Sequence, residues 1–502
     1  MGDTDIATVR NNVNNQVGST RGRPLRCLAR WCQPAAWALC VVGVAPARAP
    51  AQAPQPKRDP DAFLNRQREL AEEQQRAHDA QFGAAATSAF DFGGWYNFNL
   101  AVFDDGIESS RTLRRHDLRI WARASIADGA DEFYVRGRLG LLDFNSGDSY
   151  DGNDNDVEGM NLERGIYRFD LARQLEAVGR APVDGNVVVT AGRDLVEFGR
   201  GLALSIPLDH VAADVSCGPW ELTALFGRTV GSLQDFDGSR TAQRMHRSFF
   251  GAQVDYTGWE QHRPFAYVLW QDDKNSEHAW RPFRHFYYDS VYVGLGAHGE
   301  LSRKLYYATE CVFESGDRAA QGIWAGSTSI SAWAFDAELE YLFDGPRHGR
   351  VSVEYLFGSG DSDRTSSPTN TNGGRPWDGR DTGFVGFGYR PTGLSFAPRY
   401  SNLHLWRASA SAHPWSEARR FRNLEVGAEW YLYHKHHRDG AVSDPTANRA
   451  SGYLGTELDL FANWRVDASL AYTLRYGLFF PGSAFSDRST RPFALVGIVW
   501  SF

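Results

Sequence analysis

The chain has 502 residues, a formal net charge of -8 at pH 7 and a mean hydropathy of -0.44. An average this polar excludes a bundle of membrane-spanning helices, and past the N-terminal region no apolar run reaches the length of about twenty residues that such a helix needs. The composition of 50 Gly, 31 Phe, 20 Tyr and 16 Trp against 3 Met suits a β-barrel, because every second residue of a barrel strand can face a wet lumen.

The first 53 residues have the layout of a secretory signal peptide. Residues 21–33 are basic, residues 34–45 are apolar, and small-residue sites follow at Ala47–Ala49 and Ala51–Ala53. The apolar run is too short to anchor the chain as a membrane helix. We therefore predict export, with residues 1–53 as the signal peptide. Three of the five cysteines lie in this leader, and the two that remain offer no disulfide or metal framework.

Residues 54–91 are predicted to form a periplasmic segment. A Pro-rich linker is followed at 61–82 by a Glu-, Gln- and Arg-rich stretch with few large apolar residues. This pattern indicates a short, solvated, charged helix. No chemistry is expected of it.

Residues 92–502 are predicted to form an all-β domain, a transmembrane antiparallel β-barrel of about eighteen strands. Segments of alternating polarity recur along this range, separated by stretches rich in Gly, Asp, Asn, Ser and Pro. The connections alternate between short turns and long outer loops, as in an outer-membrane barrel with both termini in the periplasm. The inner turn at 173–185 is longer than this rule expects.

The stretch DTGFVGFGYR at 381–390 also resembles a strand. Counting it as membrane-spanning would move every earlier connection to the wrong side of the membrane. Residues 359–399 are therefore predicted to form one long outer loop, of the kind that can fold inward over a pore.

The chain closes with a hairpin between Gly452 and Phe502. We predict a turn at Asn463–Arg465 and a strand from Val466 with one unbroken apolar face. An edge hairpin of a soluble β-sandwich would also alternate, but it would not repeat the pattern over four hundred residues. A final aromatic residue, Phe502, is typical of bacterial outer-membrane barrels.

Charged side chains on alternating strands indicate which face is the lumen, since an Arg or Lys facing lipid at mid-membrane costs about 2–4 kcal/mol. Arginines share the polar face of the second to fifth strands. The opposite arc of the wall is acidic and includes Glu310, Glu314, Asp336, Glu338, Glu340, Glu354, Glu425, Glu429, Glu457 and Asp459. The two sets either pair and stiffen the wall, or line a conduit for an ionic solute.

Several stretches make the chain resemble the alginate export family of outer-membrane porins. They are RRHDLRIWARASI at 114–126, FYVRGRLGLLDFNSGDSYDG at 133–152, LERGIYRFDL at 162–171, GRDLVEFGRGLALS at 192–205, and GTELDLFANW with YGLFFPGSAF at 455–485. The resemblance implies a single-chain barrel of eighteen strands in the outer membrane. It also implies an Arg-rich constriction that passes an anionic exopolysaccharide to the cell exterior.

Carried over to this sequence, the resemblance implies pore-lining roles for the arginines and for two acidic partners, Glu163 and Asp170, that hold them. The arginines are Arg119, Arg123, Arg136, Arg138, Arg164 and Arg193, to which the face of the fourth strand adds Arg168. Arg475, Glu457 and Asp459 of the closing hairpin join them as residues of the pore wall. The acidic loop at 145–160 is expected to cap the outer mouth.

Other sites have weaker support. Asp148, Asp151, Asp154, Asp156 and Glu158 have oxygen ligands suited to Ca²⁺ but do not follow the order of an EF-hand loop, so Asx turns on a solvated loop are the favoured interpretation. No other metal and no cofactor is expected. The expected partners are outer-membrane lipid, a charged solute and periplasmic secretion proteins, and not nucleic acid.

Two functions from other classes compete with transport. A structural or adhesive barrel with a plugged lumen would show no conductance. An outer-membrane hydrolase would need a Ser, His and polar orienter near the aromatic girdle, and His404 and Ser409 lie on opposite faces of one strand. We therefore predict a channel and not an enzyme.

Overall fold

The computed structural model describes residues 90–107, 110–150, 154–180, 185–231, 233, 235, 237, 244–275, 287–319, 327–371 and 379–502. The predicted signal peptide and charged helix lie outside these residues. Among the described residues, no helix is long and apolar enough to cross a membrane.

The described chain is almost entirely β-structure. Its membrane-spanning strands are β1 (Phe90–Phe103), β2 (Arg111–Ile126), β3 (Asp131–Phe144), β4 (Asp156–Asp170), β5 (Asn186–Phe198), β6 (Leu204–Cys217), β7 (Trp220–Thr229), β8 (Arg247–Tyr256), β9 (His262–Asp273), β10 (Tyr288–Ser302), β11 (Leu305–Ala319), β12 (Ser327–Leu342), β13 (Arg350–Gly358), β14 (Leu403–Ala412), β15 (Leu424–Lys435), β16 (Tyr453–Arg465), β17 (Leu470–Pro481) and β18 (Arg491–Ser501).

These strands form one closed antiparallel barrel. Each strand pairs with its neighbours in the chain, and β1 pairs with β18 from Trp95 opposite Ser501 to Phe103 opposite Phe493. Closure leaves no unpaired sheet edge, which the bilayer core would not tolerate. The prediction of an eighteen-stranded antiparallel barrel is confirmed.

The alternation read from the sequence matches the two faces of the wall. On β2 and β3, Ile120, Phe133 and Val135 are exposed on the outer surface, while Arg119 and Arg136 on the other face are buried inside the barrel. A period of two places successive side chains on opposite faces. An apolar band therefore faces lipid and the charged residues face inward.

The inner turn that looked too long contains the helix α1 (Leu171–Ala177). The Asp170 carboxylate caps α1 by accepting the Arg173 backbone N–H at 3.3 Å. Strand β4 therefore ends at Asp170, where α1 begins. At its other end β4 begins at Asp156, so the predicted acidic loop at 145–160 is shorter than expected and its last residues belong to the strand.

The position predicted for the closing turn is wrong. Strand β16 continues through Arg465, and the turn occupies residues 466–469. The Asp467 carboxylate accepts the backbone N–H groups of Ser469 at 2.8 Å and Leu470 at 2.9 Å. This Asx turn stops the chain from extending, so Val466 lies in the turn and not on an apolar strand face.

As predicted, the stretch at 381–390 does not form a membrane-spanning strand. Arg380–Asp381 pairs in parallel with Ser329 and Ile330 of β12, and Phe387 forms a single parallel bridge with Leu204 of β6. The chain between β13 and β14 instead runs inward, and most of its described residues from Asp381 to Asn402 are buried. It thus occupies part of the lumen.

Candidate functional site

Six of the predicted arginines lie together on the inner face of β2–β4, and we refer to them as the arginine ladder: Arg119, Arg123, Arg136, Arg138, Arg164 and Arg168. Arg119 is opposite Arg138, and Arg136 is opposite Arg164. The prediction that Arg193 lines the pore is wrong. Arg193 lies opposite Gly165 and Asp209, on the outward face of β5 and β6 that also carries the exposed Leu195 and Val211. Directly opposite residues share one face of an antiparallel sheet, so pairing register alone assembles the ladder, which is completed by Arg123 and Arg168.

The centre of the ladder is held by Glu163. The register of β3 and β4 shifts between Arg136 and Gly137, and this bulge places Glu163 between two guanidinium groups. Its carboxylate lies 2.9 Å from Arg119 Nε and 2.7 Å from Arg136 Nε. Both guanidiniums also lie against the Trp95 ring, at 5.8 and 5.4 Å from its centroid. Charge and aromatic contact together fix the orientation of both arginines.

Toward the outer end of the ladder, Asp117 has the role that Glu163 has at the centre. Arg138 Nε and Arg115 Nε lie 2.7 and 2.8 Å from its carboxylate, and Arg138 also reaches Glu158 at 2.7 Å. Asp117 and Arg115 were not among the predicted site residues. Asp117 and Arg115 stand two and four residues before Arg119, so strand alternation places all three side chains on one face. This spacing could have identified them from the sequence.

Toward the periplasmic end, each arginine has its own carboxylate. Arg123 lies 2.9 Å from Glu132 and Arg168 lies 3.4 Å from the predicted partner Asp170. Arg164 lies 2.7 Å from Asp194, whereas the pair of Arg193 with Asp209, also at 2.7 Å, is on the outward face. A guanidinium has five N–H donors and one carboxylate occupies at most two of them. The ladder therefore retains donors for a further anion.

Arg475 faces the lumen on β17. Its Nη1 donates to Asn463 Oδ1 at 2.8 Å and its guanidinium lies 5.2 Å from the Phe461 ring centroid. Arg475 therefore lies on the inner face of the barrel wall, on a strand that does not carry the arginine ladder.

Glu457 and Asp459, predicted to line the pore, lie beneath the inward-folded chain. Glu457 accepts the backbone N–H groups of Ser395 and of Phe396, the latter at 2.9 Å. Asp459 accepts the Leu394 N–H at 3.0 Å. Buried carboxylates need hydrogen-bond donors, and here main-chain groups of the loop supply them. The two residues hold the loop to the wall.

Two further wall carboxylates accept main-chain N–H groups in the lumen, Glu314 from this loop and Glu310 from the connection between β5 and β6. Glu314 accepts the Val385 N–H at 2.9 Å and the hydroxyls of Tyr288 and Tyr292 at 2.6 and 3.0 Å. Glu310 accepts the Leu202 N–H at 3.4 Å and the Tyr267 hydroxyl at 2.7 Å. The acidic arc therefore holds the loop through Glu314 and the β5–β6 connection through Glu310.

The loop is also joined to the connection between β5 and β6. Ser205 N–H donates to Phe387 O at 2.9 Å, Phe387 N–H donates to Ala203 O at 2.9 Å, and Tyr389 N–H donates to Gly201 O at 3.0 Å. We call residues 199–203 and 381–402 together the inner plug. Its apolar side chains merge with those of β5–β17 into one buried cluster that includes Phe198, Leu204, Phe249, Phe384, Phe387, Phe396 and Tyr400.

Arginines neutralise the rest of the acidic arc. Arg200 and Arg390 of the inner plug both pair with Asp336, and Arg407 of β14 lies 2.8 Å from Glu354. At the outer end, Arg318 and Arg364 each lie 2.5 Å from Asp381. Burial acts to lower the pKa of Arg364, but the Asp381 carboxylate outweighs it and raises that pKa above its ordinary value, so the pair stays charged.

The candidate calcium residues do not form a common site where the structure describes them. The Asp148 carboxylate accepts the Thr112 N–H at 3.0 Å, and Glu158 faces Arg138. Asp154 and Asp156 are exposed, and Asp151 lies outside the described residues. Among described residues, no three His, Cys, Asp or Glu side chains are arranged to hold a metal ion.

Comparison with known proteins gives one family match and a set of similar folds. A family model described as alginate export matches residues 208–494. The match begins within β6, so the strands that carry the arginine ladder precede the matched range. No curated protein matches the chain.

Among solved structures, OccK11 (OpdR) of Pseudomonas aeruginosa has a TM-score of 0.50 and 11% identity, covering 82% of this chain and 96% of its own. OccK8 (OprE) of the same organism has a TM-score of 0.50 and 10% identity, covering 82% and 98%. At this identity the similarity is one of fold.

Proposed function

The chain belongs to the alginate export family and forms an outer-membrane β-barrel channel, and from that premise we propose that it passes an anionic exopolysaccharide or its fragments along the arginine ladder. The channel acts by passage of the solute and not by chemistry on it. The proposal extends the family match to a solute class, and the geometry of the lumen supports that step.

The observation that carries the proposal is the difference in exposure between the two arcs of the wall. Toward its periplasmic end the ladder is partly open to solvent, with 35% exposure for the side chain of Arg123 and 34% for that of Arg168, while Arg119 and Arg136 at its centre are buried. In the acidic arc, Glu310, Asp336 and Glu457 are 0% exposed, and the most exposed carboxylate, that of Glu340, reaches 30%. A solute that crosses the lumen beside the inner plug therefore meets guanidinium groups.

The spacing of the ladder suits a polymer. On β2, Arg115, Arg119 and Arg123 recur every four residues, which corresponds to a step of roughly 13 Å along the strand. Each guanidinium already has a carboxylate partner, so its contact with a passing anion is weaker than that of an unpaired arginine. Conduction needs contacts that attract a solute but release it again, and a row of such sites provides them.

The inner plug gives some support to a second candidate, a structural or adhesive barrel whose lumen is closed. The plug fills the acidic side of the lumen with a buried apolar cluster. This candidate differs from the first in one respect: it conducts no ions.

Current recordings in planar bilayers test the solute class. We expect uronate oligosaccharides added on the periplasmic side to interrupt the current, and neutral oligosaccharides of equal length to leave it unaffected. In Arg123→Gln/Arg168→Gln, interruptions become rarer by about tenfold, the factor for losing roughly 1.4 kcal/mol of binding. The matched control Arg180→Gln/Arg303→Gln changes two exposed arginines of periplasmic turns and keeps the wild-type frequency.

Equal interruption by acidic and neutral sugars would contradict the anionic solute. Absence of conductance, persisting after residues 382–399 are replaced by a short Gly-Ser linker, would favour the closed barrel instead.

A further inference from the structure

The periplasmic turn between β14 and β15 has a run of exposed basic residues that the solute path does not use. Arg419, Arg420 and Arg422 are all exposed. Among the described residues, no carboxylate lies within ion-pairing distance of any of the three. Arg347 of the neighbouring turn is also exposed, and its carbonyl accepts the His413 N–H at 2.7 Å. This hydrogen bond joins the two turns at the periplasmic rim.

This turn is an ordered structure that folds onto the outer wall of the barrel. Successive tight turns are closed by the N–H groups of Ala418, Phe421 and Leu424, at 2.8 to 2.9 Å from their acceptors. Trp464 Nε1 of β16 donates to Arg420 O at 3.2 Å and ties the turn to the wall. The positions of the arginines are thus set by the fold.

Aromatic side chains accompany these arginines on the lipid side. The Phe421 ring centroid lies 5.1 Å from that of Trp464, which in turn lies 5.7 Å from that of Tyr472. Trp415 is 52% exposed beside them, and the Arg420 guanidinium lies 5.8 Å from the Phe421 ring centroid. Aromatic rings at the barrel rim mark the level of the lipid headgroups, so the arginines reach that level.

We propose that this surface, the basic rim formed by Arg347, Trp415, Arg419, Arg420, Phe421 and Arg422, binds the headgroups of anionic phospholipid in the periplasmic leaflet. Guanidinium groups bind phosphate through paired N–H donors, and clustered cations at a membrane surface attract anionic lipid. The aromatic rings supply the apolar contact with the acyl chains that a soluble phosphate lacks.

An acidic solute or an acidic periplasmic protein fits the basic rim less well. The rings of Phe421, Trp464 and Tyr472 belong to the lipid-facing side of the wall, where neither partner reaches. The solute path runs along β2–β4, and acidic residues such as Asp128, Asp131 and Glu132 lie at its periplasmic end, whereas the basic rim lies at β14–β16.

Native mass spectrometry of the full chain in detergent tests this. We expect phosphatidylglycerol to be retained in preference to phosphatidylethanolamine, and expect excess soluble glycerol phosphate not to displace it. In Arg419→Gln/Arg420→Gln/Arg422→Gln, the preference falls at least about tenfold, since each arginine near an anionic surface contributes roughly a fivefold factor. The matched control, Arg173→Gln/Arg180→Gln/Arg303→Gln, changes three exposed arginines of other periplasmic turns and retains the preference.

Equal retention of the two lipids by the wild type, or loss of the preference in the control as much as in the rim variant, would overturn the proposal. Displacement by glycerol phosphate would do so too, because it would mean a phosphate site without a lipid. Heat-modifiable migration in gel electrophoresis checks that each variant is folded. If the triple variant does not fold, Phe421→Ala replaces it, and it must shorten retention of both lipids.

Discussion

At the scale of single residues, the lumen is organised by carboxylates that orient arginines. Glu163 was identified from its place in the sequence motif, and the structure shows it bridging Arg119 and Arg136. Asp117 was missed although strand alternation places it on the same face. The alternation predicts which face a side chain occupies, but it does not predict which of several charged neighbours pair, because that depends on the register between strands.

Glu163→Gln removes the charge that holds these two arginines. Its side chain is 25% exposed, so we expect a loss of about 1–2 kcal/mol in the free energy of unfolding in urea, less than the about 3–5 kcal/mol of a fully buried pair. The channel also becomes more anion-selective because one negative charge leaves the lumen. Glu132→Gln, whose partner Arg123 is more exposed, is the control and costs less. An unchanged stability and selectivity would show that Glu163 does not hold the ladder.

At the scale of elements, the inner plug is the feature that the sequence predicted only in outline. Parity of the connections required residues 359–399 to form a loop and not a strand. It did not reveal that Glu457 and Asp459 accept main-chain N–H groups some sixty residues away. Such contacts follow from the closed barrel and leave no periodic signal. The misplaced closing turn has a local cause, the Asx turn of Asp467, which overrides the strand pattern.

The fit of the inner plug depends on the close approach of two main-chain segments. A Cβ at Gly388 would collide with the carbonyl groups of Gly201 and Leu202. Gly388→Val therefore forces residues 381–402 away from 199–203, at a cost of about 1–3 kcal/mol for overpacking. We expect higher conductance and faster proteolysis of the loop in a barrel that still folds.

Gly159→Val is the matched control for this change, because nothing lies within 4 Å of a Cβ built at Gly159. It should leave both conductance and proteolysis at wild-type values. Wild-type conductance in Gly388→Val would mean that the inner plug does not limit the path.

At the scale of the whole molecule, the barrel has an asymmetric lumen. One arc is filled by the inner plug and its buried acids, and the other bears the arginine ladder with solvent beside it. The fold, the strand number and the location of the ladder were predictable because alternation and turn chemistry are local properties of the chain. The division of the lumen was not, since it depends on contacts between distant segments.

The same asymmetry predicts the ion preference of the channel despite the acidic total charge of the chain. Acids buried beneath the inner plug contribute little to the potential along the path, whereas the paired but partly exposed guanidiniums of Arg123 and Arg168 lie beside it. The wild-type channel should therefore prefer anions.

The reversal potential across a planar bilayer in a KCl gradient tests this most directly. Wild-type protein should give a potential of the sign for chloride preference, and Arg123→Glu/Arg138→Glu should move it toward potassium. Arg228→Glu, which changes an exposed arginine at the outer end of β7, should leave it unchanged. A cation-selective wild-type pore whose potential does not respond to the ladder variant would contradict an anion path along the arginine ladder.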